Sequence, residues 1–347
     1  MFLIRQAGSR DFSGVFGLAR LLDSYNLPAD RGYIRELLRD SESSFQGRLA
    51  LAKAKYLFVL EEQRSGKLVG CSLILAKHGT PGRPHLWLDL ETVNMRSRTL
   101  GVHRSHQVLR LGSTENGPTE VGGLVVLPRY RRHPEVCGLQ ISYVRFLYMG
   151  IHPERFEKRI LVEYRGAMGA GNKSPFWEAV GRIFTGLPYQ KADRLSVRNK
   201  EFILNLFPRE PIYCALLPGS VQNAIGAIHP AAQRAAELLR SIGFRRIRQI
   251  EPFDGGPYYS AQRRQLSLIR QMSRLKAGLR NLSRAGRRIP RNDGHGVSLV
   301  GTDAGGFFRA ARVRGGWDRN QYSMSEEALR LLKLEVGETV YACPLSR

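Results

Sequence analysis

The sequence predicts an α/β protein: a mixed β-sheet flanked by helices, followed by a small β-rich C-terminal unit. Three observations predict it. Segments of helical period open the chain, strand-type runs alternate with amphipathic stretches through its middle, and glycine-bracketed strand runs close it. At 347 residues the chain exceeds a usual single domain, and its 42% hydrophobic content is ample for a packed core.

FSGVFGLARLLDSYNL and RGYIRELLRDSESSF space their apolar residues as helices do. KYLFVLEEQRSGKLVGCSLILA (55–76) reads as two strands, rich in β-branched and aromatic residues, joined at Ser65 and Gly66. A strand at 121–127, a helix from Gly138 to Gly150 and a strand at 159–167 complete an αα-ββ-β-α-β order. A helix-rich part spans roughly 174 to 245. Within it, HPAAQRAAELLRSIGF places Pro230 at a first helical position and Gly243 at the end, as helix starts and stops require.

From Arg263 to Arg291 there are ten Arg or Lys and no acidic residue. Leu266, Ile269, Met272, Leu275, Leu279 and Leu282 recur there at three- and four-residue spacing, which predicts a basic amphipathic helix. Beyond it, VSLVG, GFFRAARVRGG and ETVYACPL read as strands, with SEEALRLLKL a helix between two of them. The expected division is a main domain over 1–258, a basic helical linker over 259–295 and a small domain over 296–347.

The formal net charge is +24, which favours anionic partners: nucleic acid, a membrane surface or a phosphate-bearing ligand. No apolar run reaches the roughly 18 residues of a membrane helix, and the N-terminus turns polar too soon for a secretory leader. Cys71, Cys137, Cys214 and Cys343 lack metal spacing, so free thiols in a reducing cytoplasm are expected. His103 and His106 lie three apart without a neighbouring Cys or carboxylate pair, and no metal is expected. No GxxxxGK[ST] or GxGxxG is present, which removes support for nucleoside-triphosphate and dinucleotide chemistry.

One stretch concentrates the chemistry. In GGLVVLPRYRRHPEVCGLQIS (122–142) a strand runs through a proline and a basic turn into a helix. A helix N-terminus offers unpaired N–H groups and partial positive charge, which suit a phosphate or pyrophosphate. Arg129, Arg131 and Arg132 add countercharge, and Gly138 lets a ligand approach the backbone. On spacing alone, a plain strand–loop–helix connection with solvated arginines fits equally well.

This order resembles the coenzyme A-binding segment of GNAT-type acyltransferases, although residues 133–137 make the turn longer than is usual there. LPAD (27–30), YLFVLE with its turn (56–70), SPFWE (174–178), PIY (211–213), IHP (228–230) and FDGGP (253–257) then follow in the order of the arginine N-succinyltransferase family, and LEVGETVYACPL resembles that family's tail. The resemblance implies a GNAT-like fold, oligomeric assembly, and transfer of succinyl from succinyl-CoA to the α-amino group of L-arginine. It implies that His229 is the proton-handling catalytic residue and that Leu124 contacts succinyl-CoA, with Arg131 and Gly138 beside it. A leucine side chain offers no chemistry, so its contact is expected from the main chain. Pro230 opens a helix, so His229 is expected near a positive dipole end that keeps its ring neutral and able both to take a proton from the amine and to return one to the sulfur.

Glu120 and Glu163 are further candidates for a cationic substrate, against which stands the ordinary surface glutamate. Asp254 could bind a guanidinium but is read as a turn residue, and Phe176 and Trp177 as packing. GVHRSHQVLRLGSTENGPTE (101–120) and the basic 263–291 run depart from the family. A positive field attracts coenzyme A and repels arginine, so a second reading is a GNAT-like scaffold that binds nucleic acid through 263–291; few aromatics interleave there to stack bases, which favours the enzyme.

Overall fold

The computed structural model describes residues 1–22, 27–196, 199–279, 295–318 and 320–345. In chain order, β1 (Phe2–Gln6) leads into α1 (Phe12–Leu22) and α2 (Arg31–Phe45), then β2 (Lys55–Glu62) and β3 (Lys67–Leu75). A long hairpin, β4 (His85–Ser97) and β5 (Val102–Thr114), precedes β6 (Thr119–Val126), α3 (Cys137–Ile151) and β7 (Arg159–Glu163). Short helices follow: α4 (Pro175–Ala179), α5 (Gly181–Thr185), α6 (Tyr189–Ser196) and α7 (Glu201–Leu206). Next come β8 (Ile212–Tyr213), α8 (Gly219–Ala224), α9 (Gln233–Ser241), β9 (Arg245–Ile250) and β10 (Pro257–Gln262). The last part contains α10 (Ser267–Arg270), β11 (Ser273–Leu279), β12 (His295–Thr302), β13 (Arg309–Asp318), β14 (Gln321–Met324), α11 (Glu326–Leu332) and β15 (Thr339–Pro344).

These elements form two units that interleave along the chain: Met1–Ala76 with Val121–Lys158 and Arg263–Arg347, and Lys77–Glu120 with Arg159–Gln262. In the first unit the strand order runs β13-β1-β2-β3-β6. β12, β15, β11, β14 and β13 follow one another in a ring, because β12 also pairs with β13. Ring strands and α11 bury Leu275, Val300, Val313, Met324, Leu332 and Val340 together. α1 and α2 cover the sheet through Val15, Leu18, Ile34, Leu37 and Leu38, packed on Leu57, Val59 and Leu73. The start of α2 is set by Asp30, whose carboxylate accepts from Tyr33 N–H, one of the donors a helix cannot satisfy internally.

The second unit orders its strands β7-β10-β9-β4-β5-β8. Its core joins Leu86, Leu88 and Leu109 of the hairpin to Phe176, Trp177, Ile203 and Phe253.

The helix expected over 263–291 is corrected in its described part. Arg263–Gln265 is a 3-10 turn, α10 is one turn long, and Ser273–Leu279 is a strand; 280–291 lies outside the described residues. Leu275 and Ala277 are buried while Arg274 and Lys276 face out, so the same residues also satisfy a two-residue period. Pairing with β15 and β14 decides between the two periods, and Gly278, unfavourable in a helix, is accommodated in the strand. The first of the basic residues, Arg263, is buried and donates to the carbonyls of Phe156, at 2.8 Å, and Pro153.

Candidate active site

In the first unit the strand, turn and helix expected to receive an acyl-CoA occupy β6, residues 127–136 and α3. Gly123 breaks the extended geometry of β6 with a φ of +56°, and a methyl there would sit 2.9 Å from Leu73 Cβ. Both backbone and space therefore call for glycine. The neighbouring Gly122 carbonyl accepts from Arg145 Nη1 at 3.4 Å; that guanidinium, 1% exposed, also donates to the Ser142 carbonyl and hydroxyl at 2.9 Å. Leu124 is half-buried on the next step of the strand. Among the described residues the β6–β7 ladder is confined to Thr119↔Ile160 and Glu120↔Leu161, so it ends before Leu124.

The basic turn is more tied down than its sequence suggests. Arg131 Nε donates to the Val126 carbonyl at 3.1 Å, closing the end of β6. Arg129 lies over the Tyr130 ring at 4.7 Å and donates to its hydroxyl. Val136, at φ +47°, is the N-cap of α3 and makes no side-chain cap. The first helix bond runs from Leu139 N–H to the Val136 carbonyl, so the N–H groups of Cys137 and Gly138 precede it. A methyl at Gly138 would meet nothing within 4 Å. No packing demand explains that glycine, and the space beside the helix N-terminus is open.

His229 belongs to the second unit, as the N-cap of the 3-10 turn Pro230–Ala232 that leads into α9. Its backbone N–H donates to the Arg165 carbonyl at 2.8 Å, and its Nδ1 accepts from Ala231 N–H at 3.2 Å. That bond fixes the tautomer: while Nδ1 accepts, a neutral ring carries its proton on Nε2. The FDGGP turn anchors this segment. Gly226 N–H donates to the Gly255 carbonyl at 2.7 Å, and the Asp254 carboxylate accepts from Gly166 N–H at 2.9 Å and Gly256 N–H at 2.8 Å. Methyls at Gly166 and Gly256 would lie 2.3 and 2.0 Å from the carbonyls of Asp254 and Tyr164, so the two segments can meet only through glycine. Burial pushes the Asp254 carboxyl upward, against the opposing pull of the two N–H groups, Arg165 and His229. Asp254 thus holds the turn, as its sequence context suggests. In SPFWE, Ser174 caps α4 through Trp177 N–H, and Trp177 stacks on Phe253 at 4.9 Å.

A second constellation in this unit was only half visible in the sequence. Glu120 and Glu163 do lie on adjacent parallel strands, but Glu120 is fully buried and Glu163 only 13% exposed, so neither is a surface glutamate. His78 pairs through Nδ1 with Glu120 and turns Nε2 toward Glu163 Oε1, 4.0 Å away. His85 Nδ1 lies 3.7 Å from the same oxygen, and the two imidazoles meet edge to face at 4.5 Å. Burial and the neighbouring Glu120 push the Glu163 carboxyl up to about 7, while burial drives His85 well below its ordinary value. Neither histidine was singled out by sequence reasoning. They are separated by GTPGRP, a turn-rich stretch, and no motif marks them.

Leu124, Arg131 and Gly138 share the first unit, and His229 lies in the second.

The profile of a family described as arginine N-succinyltransferase beta subunit matches residues 2–268. Arginine N-succinyltransferase subunit alpha of Pseudomonas aeruginosa is 36% identical over 268 residues, covering 76% of this chain and 78% of that relative. The arginine N-succinyltransferase of Photorhabdus laumondii is 29% identical over 343 residues, 98% of this chain and 97% of its own length. Among solved structures, the arginine/ornithine succinyltransferase subunit AI from Pseudomonas aeruginosa matches with a TM-score of 0.84 at 30% identity, covering 100% of this chain and 99% of that one.

Proposed function

The chain belongs to the arginine N-succinyltransferase family, and from that premise we propose that it transfers a succinyl group from succinyl-CoA to the α-amino group of L-arginine. The observation that carries this reading is a likeness running through the whole chain, so that it takes in β6 and α3 as well as the His229 segment. The reaction forms a C–N bond and breaks the thioester C–S bond. The amine gives up a proton, and the departing sulfur must be stabilised as it takes on negative charge.

The residues divide those tasks. The main chain of β6 around Leu124 supplies strand hydrogen-bonding groups for the amides of the pantetheine arm. The open N-terminus of α3 at Gly138 supplies N–H donors and a favourable dipole for the coenzyme's phosphates, with Arg131 as nearby countercharge. His229 presents Nε2–H as a donor to the thioester oxygen or the leaving sulfur. Its cap on Ala231 narrows the role expected from sequence, because a neutral ring held at Nδ1 has no lone pair at Nε2 with which to act as base. The ammonium proton therefore leaves to another acceptor.

The net charge of +24 suits a polyanionic coenzyme, and it is with coenzyme A rather than nucleic acid that we associate it. No described helix is long and apolar enough to cross a membrane, and we place the enzyme in the cytoplasm as an oligomer. The test is thiol release from succinyl-CoA, with arginine and ornithine compared as acceptors. Arginine-dependent release, lowered about 100-fold or more in kcat by His229→Ala, is the expected result. No release with either amine would sink the proposal.

A further inference from the structure

We propose that His78, His85 and Glu163 form a binding site for a divalent first-row transition metal ion, zinc being the first choice, with Glu120 holding the His78 ring from behind.

The geometry supplies the donors. One ligand atom from each of the three residues lies within 4.8 Å of the other two, with Glu163 Oε1 at 3.7 Å from His85 Nδ1 and 4.0 Å from His78 Nε2. Tetrahedral zinc with bonds near 2.0–2.1 Å holds its ligands roughly 3.3 Å apart, so small side-chain rotations of two imidazoles and a carboxylate close the set. These rings are placed by different parts of the unit: His85 is the first residue of β4, His78 precedes it in the chain, and Glu163 ends β7.

The independent observation is what burial leaves undone. His85 is 1% exposed, yet its Nδ1 has no hydrogen-bond partner, and the inaccessible Glu163 Oε1 that it faces has none either. Burying a ring nitrogen and a carboxylate oxygen without partners is unfavourable, so both atoms call for a third group between them. Water would serve both only as a donor, whereas a metal ion takes lone pairs from both at once.

The outer contacts fit the same reading. His78 gives Nδ1 to Glu120, which directs Nε2 inward, the carboxylate–histidine arrangement that orients metal-bound imidazoles. Two imidazoles and one carboxylate form a mixed nitrogen and oxygen set of the kind zinc accepts, with a fourth position left for water. The ion's charge balances the two carboxylates, Glu120 and Glu163, that the fold buries side by side.

The experiment uses the full-length chain without a histidine tag, expressed with zinc in the medium. Elemental analysis is expected to find about one zinc per chain, chelation to lower Tm and added zinc to restore it. Cobalt exchanged into the chelated protein is expected to give visible ligand-field bands. H85A and E163Q, separately, are expected to lose the ion and the chelator response. Should those variants not fold, the cobalt spectrum and metal content of the unaltered chain decide alone. Substoichiometric metal, a colourless cobalt sample and a Tm unmoved by zinc would overturn the proposal. So would a Tm raised by arginine or guanidinium, but by no metal, and lost in E163Q. Metal content and Tm are read without any turnover, so failure here leaves succinyl transfer untouched.

Discussion

Arg145 donates from within α3 to the carbonyl of Gly122, one residue before the left-handed glycine of β6. A buried guanidinium thus braces the backbone of the strand we propose for the acyl-CoA. Arg145→Leu removes at least three hydrogen bonds, to the Ser142 carbonyl and hydroxyl and the Gly122 carbonyl. Hydrogen bonds to charged groups contribute about 1.5–3 kcal/mol, so chemical denaturation should show a loss of about 2–4 kcal/mol. If the brace also shapes the strand, KM for succinyl-CoA rises at a temperature where the variant is still folded.

Two glycines of the same segment make opposite predictions. Gly123→Ala forces a side chain into a left-handed conformation 2.9 Å from Leu73, and should lower stability by about 1–3 kcal/mol. Gly138→Ala has room, and alanine is preferred in a helix by about 1 kcal/mol, so Tm should hold or rise. KM for succinyl-CoA should nevertheless rise, because the methyl obstructs ligand approach to the first-turn N–H groups. A Gly138→Ala enzyme with unchanged KM would remove the α3 terminus from the binding site.

Acid stability should depend on Asp11. Burial raises its pKa, but bonds from Arg5 at 2.7 and 2.8 Å and from Gly8 N–H more than offset this, so the folded carboxyl lies below its ordinary value. A depressed folded pKa contributes stability that is fully present above the unfolded value, near 3.9, and lost as pH falls through the folded one. Denaturation at pH 7 and near pH 3 should show that Asp11→Asn costs stability at the higher pH and much less at the lower.

The four cysteines are free and buried, and burial pushes Cys71 and Cys343 up to about 12 and Cys137 to about 11. Thiolates are the reactive form, so alkylation at pH 8 should be slow in the folded protein and reach four equivalents only in denaturant. Rapid native labelling of Cys71 or Cys343 would mean that the first unit opens more readily than its packing implies.

The sequence was most legible where local chemistry and tertiary demand agree. Asp30 followed by a helical apolar stripe yields α2 over the expected residues, and the turn at Ser65 and Gly66 yields the β2–β3 pair. The helix after Pro230 was partly legible: the chain makes a 3-10 turn first, and its α-helical part ends at Ser241. Legibility fails where neighbours distant in sequence decide. β11 carries a helical and a strand period together, and only its pairing with β14 and β15 selects one. The β4–β5 hairpin escapes because only the ends near Leu86, Leu88 and Leu109 are buried, while Val93 to His106 lies in its polar, largely exposed tip, which shows no sustained alternation. His78 and His85 carry no spacing signal, since Glu163 reaches them from another strand.

The pairing of β1 with β13 sets a condition on how the protein is made. Ile4 lies opposite Ala310, and Gln6 accepts from Phe308 N–H. Ile4 must wait for some three hundred later residues before its strand edge is covered. Until then the nascent chain carries an open, apolar ladder, so a ribosome stalled short of Arg309 should hold a chain that proteases cut and chaperones retain.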